Sequence, residues 1–273
     1  MATWEFPCSE PVDLRVGLAS GTVAISAAPT DVVTVRAHRG WSGTAAGPAA
    51  DDGQADDVIV DFGDGRLEIS EPERRGLRWH AKGLHLSICV PDGSRCTVQT
   101  ASADVTLKGE PGSLDVRTAS GSVDASAVRG AAEILTMSGD VRVREVAGEA
   151  TLHTASGRIS LRHGGGDVTA RTASGDVVIG AADGSVTARS ASGQVLVGSV
   201  ARGQTNVNTV SGDVEVKVAH GISIYLDLAS MTGRVSSDLE PADEGCQENL
   251  QLHCRTVSGA IRVAWAAVAE MAS

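Results

Sequence analysis

Aromatic residues are scarce here: 273 residues include four Trp, one Tyr and two Phe, none of them between residues 84 and 224. Carbohydrate-active solenoids stack sugars on aromatic platforms, so that stretch argues against one. No run of 18 apolar residues occurs, which leaves no candidate membrane-spanning helix and no expected membrane insertion. Residues 1–10 have neither a basic region nor an apolar run, so a standard secretion signal is not expected and the cytoplasm is the expected compartment. Positive charge is also short. With 23 Lys and Arg against 34 Asp and Glu, the net charge is -11, which disfavours nucleic acid and anionic membranes as partners because both need a basic footprint.

Metal-binding patterns are missing too. The five cysteines, Cys8, Cys89, Cys96, Cys246 and Cys254, contain no C-x-x-C, and their odd number fits free thiols in a reducing compartment. The seven histidines show no paired ligand spacing for zinc. A calcium roll repeats Gly-Gly-x-Gly-x-Asp, whereas the turns here read mostly Ala-Ser-Gly. No metal and no cofactor are expected.

What the chain does have is a beat. The serine of a Thr-Ala-Ser-Gly phrase recurs at Ser102, Ser120, Ser138, Ser156, Ser174 and Ser192, each 18 residues after the last. Gly112, Gly130, Gly148, Gly166 and Gly184 split each unit into two nine-residue arcs. Within the arcs apolar residues alternate, as at Val141 and Val143, Ile159 and Leu161, Val177 and Ile179, and Val195 and Val197. That is the signature of half-buried strands. The intervening arcs repeat it with smaller residues, such as Ala150 and Leu152 or Val168 and Ala170, which predicts a thin core. A flat antiparallel meander would need a second layer, and the repeat holds no amphipathic helix to supply it. A coil that faces its own other half needs none. The predicted fold is therefore all-β: a two-sheet parallel β-solenoid with 18-residue coils stacked at about the 4.8 Å strand spacing.

One elongated domain over 1–273 is expected, with irregular coils, hairpin and loops over 1–83, regular repeats over 84–220, and C-terminal coils and a cap over 221–273. An early copy of the phrase, Ala19-Ser20-Gly21, follows alternating Val12, Leu14, Val16 and Leu18, so the solenoid is expected to begin there. Residues 31–37 read as a strand and 40–57 as a flexible loop. Gly63-Asp64-Gly65 signals a hairpin. The stretch 71–83 places Arg74, Arg75, Arg78 and Lys82 beside Trp79, either a solvated connection or a contact loop for an anionic partner. One extra residue enters at 200–203, in the turn opposite the constant corner. The pattern loosens over 222–228, pauses at an acidic loop over 240–248, and returns as strands 250–256 and 261–265. Those two strands close the chain, with the alanine-rich end expected as a short helix over the last coil.

The iterated phrase Thr-x-Ser-Gly-Asp-Val-x-Val, at 136–143, 172–179 and 209–216, resembles the bacterial putative-adhesin family of β-strand repeat domains of unknown function. The copy at 18–25, the Ser102-Ala103-Asp104 variant and Tyr225-Leu226-Asp227 resemble it as well. The resemblance covers most of the chain. It implies the repeat architecture and brings no catalytic residues with it.

Stacking turns sequence columns into ladders. Thr118, Thr136, Thr154 and Thr172, beside the corner serines Ser120, Ser138, Ser156 and Ser174, form a structural ladder whose hydroxyls can bond corner backbone groups. The residue after each corner reads Asp104, Ser122, Asp140, Arg158, Asp176, Gln194 and Asp213, so acids fall on alternate coils, with Arg158 between two of them. The arrangement with most enzyme character stacks Asp115 on Glu133 and Glu149 on Asp167, near Arg117, His153 and Arg171; neighbouring carboxylates can shift each other's titration, but solvated surface charge explains them more simply. Outward Thr151, Thr169 and Thr187 form a row like that of ice-binding faces, but a short one. The expected function is a non-enzymatic scaffold or binding protein with an unidentified protein partner, monomeric or a small oligomer. The alternatives are a self-assembling protein like the bactofilins and a carboxylate-dependent carbohydrate-active enzyme.

Overall fold

The computed structural model describes residues 2–39, 58–71, 83–239 and 248–266, and every regular element among them is a strand. The chain forms two compact units, Met1–Met137 and Ser138–Ser273. The architecture is a parallel two-sheet β-solenoid.

In the second unit one sheet runs Val141–Val146, Ile159–Gly164, Val177–Ala182, Val195–Val200 and Val214–Val218, each parallel to the next. Its register sets Val141 against Ile159, Ile159 against Val177 and Val177 against Val195. The other sheet runs Ala150–Ser156, Val168–Ser174, Val186–Ser192 and Gly203–Ser211, also parallel. An 18-residue repeat forces this register, because any slip by one residue would turn every inward side chain to solvent. The inward residues Val141, Val143, Ile159, Leu161, Val177, Ile179 and Val195 are all buried, each contributing about 1.5–3 kcal/mol by burial. Across the core lie Ala150, Leu152, Val168, Ala170, Val186 and Ala188, equally buried and mostly smaller. The extra residue enters the turn after Val200, since Ala182 lies opposite Val200, 18 residues on, and Val186 opposite Thr205, 19 on; the spacing returns to 18 at the register shift between Val197 and Val200, which face Val216 and Val218.

Coil order departs from sequence order in both units. In the second, Glu248–Ser258 and Ile261–Trp265 do not close the stack. They lie between the coil of Gly203–Ser211 and Val214–Val218 on one side and that of Ser223–Ser230 and Val235–Ser237 on the other. The last strands of the chain thus fill a gap, and Cys254 and Leu252 are fully buried while Tyr225 and Val235 on the outer coil remain exposed. The alanine-rich end beyond Ala266 and the acidic stretch 240–247 lie outside the described residues.

The first unit does the same. Asp13–Ala28 runs parallel to Arg95–Lys108, with Leu14 opposite Cys96 and Val23 opposite Val105. On its other side it pairs with Arg66–Ser70 and Leu84–Pro91. The early copy is therefore an inner coil, not the first one. The chain returns past it through Ser94, a fully buried residue whose hydroxyl donates to the Pro91 carbonyl at 2.6 Å and accepts the Val12 N–H at 3.0 Å. Outside this coil the pairing turns antiparallel: Val32–Arg39 lies between Ala2–Pro7 and Leu84–Pro91, and Ile59–Gly63 forms a hairpin with Arg66–Ser70. The two-residue turn of that hairpin is Asp64-Gly65, at φ 51° and 72°, as a tight primed turn requires. Residues 40–57 and the basic stretch with Arg74, Arg75, Arg78, Trp79 and Lys82 lie outside the described residues.

Cys96 and Cys254 point inward and are fully buried, and burial pushes both thiols up to about 12, with the Asp13 and Asp227 charges adding to it respectively. They are inert packing residues, not nucleophiles.

Candidate interaction face

At the constant corner, the hydroxyls of the threonine column close the gap between coils. Thr136 donates to the Gly121 carbonyl, Thr154 to Gly139, Thr172 to Gly157 and Ser190 to Gly175, at 3.2–3.5 Å. Thr154 stacks on Thr172 and Ser156 on Ser174. The corner glycine N–H donates forward to the next serine carbonyl, Gly157 to Ser174 at 3.0 Å and Gly175 to Ser192 at 2.9 Å. Thr118 faces Ala103 where the later coils have glycine, and its buried hydroxyl has no partner among the described residues. These hydroxyls hold backbone together, and none activates another.

The acids after the corner have a job that their spacing does not reveal. Asp140 accepts the Arg158 N–H at 2.9 Å, Asp176 the Gln194 N–H at 3.1 Å and Asp213 the Ala260 N–H at 2.8 Å. In the first unit Asp104 accepts the Ser122 N–H at 2.9 Å. Each acid thus caps one backbone donor of the adjacent coil. Arg158 also pairs with Asp176 at 2.9 Å. The Gln194 N–H, then the Arg158 guanidinium, hold the Asp176 carboxyl below its ordinary value. Asp176→Ala should cost about 1 kcal/mol, because the carboxylate stays partly solvated and the bond is screened. A carboxyl depressed in the folded state stabilises above its unfolded pKa of about 4 and loses that contribution as pH falls through the lower folded value. In urea titrations at pH 7 and below pH 3, the gap between wild type and Asp176→Ala should therefore close at the acid end.

Three of the four carboxylates with enzyme character, Asp115, Glu133 and Asp167, are engaged as well. Arg117 lies 3.3 Å from Asp115 and 3.6 Å from Glu133, and Asp167 accepts the Ser185 N–H at 2.8 Å. An arginine between two solvated acids makes an ion-pair ladder. His163 pairs with Asp183 and His220 stacks on Trp265, and among the described residues no group of three metal-ligating side chains converges.

What remains is the outward face of the second unit's Thr-bearing sheet. One row reads Thr151, Thr169, Thr187, Asn206, His253, Asp227; the next His153, Arg171, Arg189, Asn208, Arg255, Ala229. Arg171 and Arg189 are exposed, side by side in adjacent coils, and among the described residues neither has an ion pair or hydrogen bond. The other arginines on outward columns are mostly paired: Arg117, Arg129, Arg142, Arg158 and Arg262 each meet an acid. Toward the outer coil the corner row, alanine at Ala155, Ala173 and Ala191, changes to Val210, Val257 and Met231, exposed by 55%, 43% and 78%. Between this ridge and Arg255 lies a shallow groove of about 390 Å³ lined by Asn208, Ala229, Met231, Arg255 and Val257 among others.

Beside the groove, Asp227 accepts from His253 Nδ1 and from Arg255, both at 3.2 Å, and the Tyr225 ring tilts against His253. Those two bonds, His253 first, hold the Asp227 carboxyl below its usual range. Sequence reasoning missed this cluster because Asp227 and His253 become neighbours only through the intercalated coil. It also saw Arg171 as an accessory to the carboxylates rather than as one of an unpaired pair.

A family model described as Toastrack DUF4097 matches residues 7–221. Among solved structures, the chain is similar to a putative adhesin from Bacteroides fragilis NCTC 9343 at 14% identity, with a TM-score of 0.47 over 96% of each chain. A putative adhesin from Parabacteroides merdae ATCC 43184 is similar at 9% identity and a TM-score of 0.36, covering 96% of this chain and 95% of that one. A putative cell adhesion protein from Clostridium sporogenes ATCC 15579 is similar at 11% identity and a TM-score of 0.23, covering 97% and 99%. No curated protein matches. The two coils built from residues 223–265, with the ridge residues Met231 and Val257, lie beyond the family match.

Proposed function

The chain belongs to the Toastrack DUF4097 family, and from the way its polar ladders are used we propose that it is a non-enzymatic binding scaffold that presents the Arg171 and Arg189 face to a protein partner. The observation carrying this reading is that the corner hydroxyls and the alternating acids bond the backbone of neighbouring coils, while Arg171 and Arg189 have no such work. A column of free guanidiniums across a rigid sheet is suited to recognition, since the sheet holds their spacing and little order is lost on binding. The reading places the protein in the cytoplasm, in keeping with the unpaired thiols of Cys8, Cys89, Cys96 and Cys254. It also makes the protein a monomer or small oligomer, in keeping with the antiparallel strands at the outer side of the first unit, which blunt a parallel edge.

Photo-crosslinking in the native cell tests the face directly. A benzophenone residue at Thr169 or Thr187 should trap a partner, and one at Val178 or Leu196 on the opposite sheet should not. Equal trapping from both sheets would remove the face from the reading. Turnover in a broad hydrolase and lyase screen that is lost in the Asp115→Ala or Glu133→Ala protein would overturn the non-enzymatic assignment.

A further inference from the structure

We infer that the face formed by Arg171, Arg189 and the Arg255 groove binds an acidic peptide segment that carries an apolar side chain beyond its acidic residues. This rests on the binding-scaffold reading and names the partner's chemistry. Three observations on one surface lead to it. First, two guanidiniums in register opposite each other are a repulsive pair on a sheet, and among the described residues no acid pairs with either. A carboxylate lying between them would accept from both, in the charge-assisted geometry that arginine forks favour. Second, the column continues from Arg189 through Asn208 to Arg255, so Arg171 and Arg255 are three coil steps apart, about 14 Å at the strand spacing. An extended peptide of about five residues covers that distance. Third, the apolar ridge of Met231 and Val257 begins where the free arginines end, and Ala229 leaves the notch beside Arg255 open.

The backbone of this sheet is already paired coil to coil, so the segment must be held by side chains. Thr169, Thr187, Asn206 and Asn208, half-buried beside the arginines, offer hydroxyls and amides to its backbone. Asp227, bonded to Arg255 and His253, fixes the Arg255 fork at the groove. A peptide suits this surface better than a nucleic acid. Two free guanidiniums on a protein of net charge -11 make too small a footprint for a polyanion.

Fluorescence anisotropy with labelled eight-residue peptides decides it. The probes carry two adjacent acidic residues and one Leu or Phe, separated by two to four Gly or Ser. Controls replace the acids by Lys, or the apolar residue by Ser, and a labelled single-stranded oligonucleotide serves as the polyanion. Both acid and apolar residue should be needed, and affinity should fall about tenfold or more in Arg171→Glu/Arg189→Glu, in 500 mM salt, and in Ala229→Trp, which fills the notch. Unchanged circular dichroism and melting of both variants would show that the fold survives; if Ala229→Trp disturbs it, Met231→Asp takes its place. Failure of every acid–apolar peptide, indifference of binding to the arginine reversal, or preference for the oligonucleotide would each overturn the inference. Repeating the cellular crosslinking in Arg171→Glu/Arg189→Glu separates the two levels. Trapping lost there while all peptides fail leaves the binding face standing without its peptide chemistry; trapping retained removes the face itself.

Discussion

Val177→Asp should unfold the middle coils of the second unit, whereas Val178→Asp, one residue along, should leave them intact. Val177 is fully buried between Ile159 and Val195, while Val178 points outward between Ser160 and Leu196. The first substitution forfeits about 1.5–3 kcal/mol of apolar burial and buries a carboxylate with no cation in reach, at several kcal/mol more even after it protonates. Domain stabilities are only about 5–15 kcal/mol. In a coil stack each coil is held by its neighbours, so the loss spreads to adjacent coils before it reaches distant ones. Hydrogen exchange should show protection lost first over residues 159–200, with the first unit still protected. An aspartate at position 178 stays solvated and should shift stability by about 0.5 kcal/mol at most. Equal damage from both variants would mean that the inward and outward columns are misassigned.

The interior was legible in the sequence because one constraint sets it many times over. With 18 residues between equivalent serines, Ile159 can sit opposite Val141 and Val177 only in a parallel coil stack, and the same spacing fixed which side of each strand is buried. Coil order at the ends was not legible for the same reason. Every coil presents the same alternation to its neighbours, so Glu248–Ser258 matches Gly203–Ser211 on one side and Ser223–Ser230 on the other, and nothing local says which coil lies outermost. The candidate site suffered from that ambiguity directly, since His253 meets Asp227, and Val257 separates Val210 from Met231, only in the intercalated order. The alternating acids were legible as a column, but the column's charge pattern gave no hint that each carboxylate accepts an N–H from the coil beyond. That bond depends on the backbone turning at the corner, which composition does not describe.

That corner is where the second large effect is expected. Gly175→Ala should destabilise the second unit by about 3–5 kcal/mol, combining a backbone conformation that side chains disfavour with a collision that cannot be relieved. Gly175 has φ of 150°, and a Cβ there would fall on the carbonyl oxygen of Gly157. The obstacle is backbone, and it is pinned: the same Gly157 carbonyl accepts the Thr172 hydroxyl, while the Gly157 N–H donates to Ser174. Moving it would break the tie between coils and push the strain onward, because Gly193 and Gly212 meet the preceding corner glycine in the same way. Gly221→Ala supplies the comparison. Gly221 also has positive φ, 78°, but has nothing within 4 Å of the added carbon, so only the conformational cost remains, about 1–2 kcal/mol. Urea midpoints for the two variants at equal m-value then divide the penalty into conformation and contact. A Gly175→Ala protein no less stable than Gly221→Ala would mean that the coils are not packed glycine against glycine at the corner, and that the 18-residue phrase is kept for something other than close approach of the backbone.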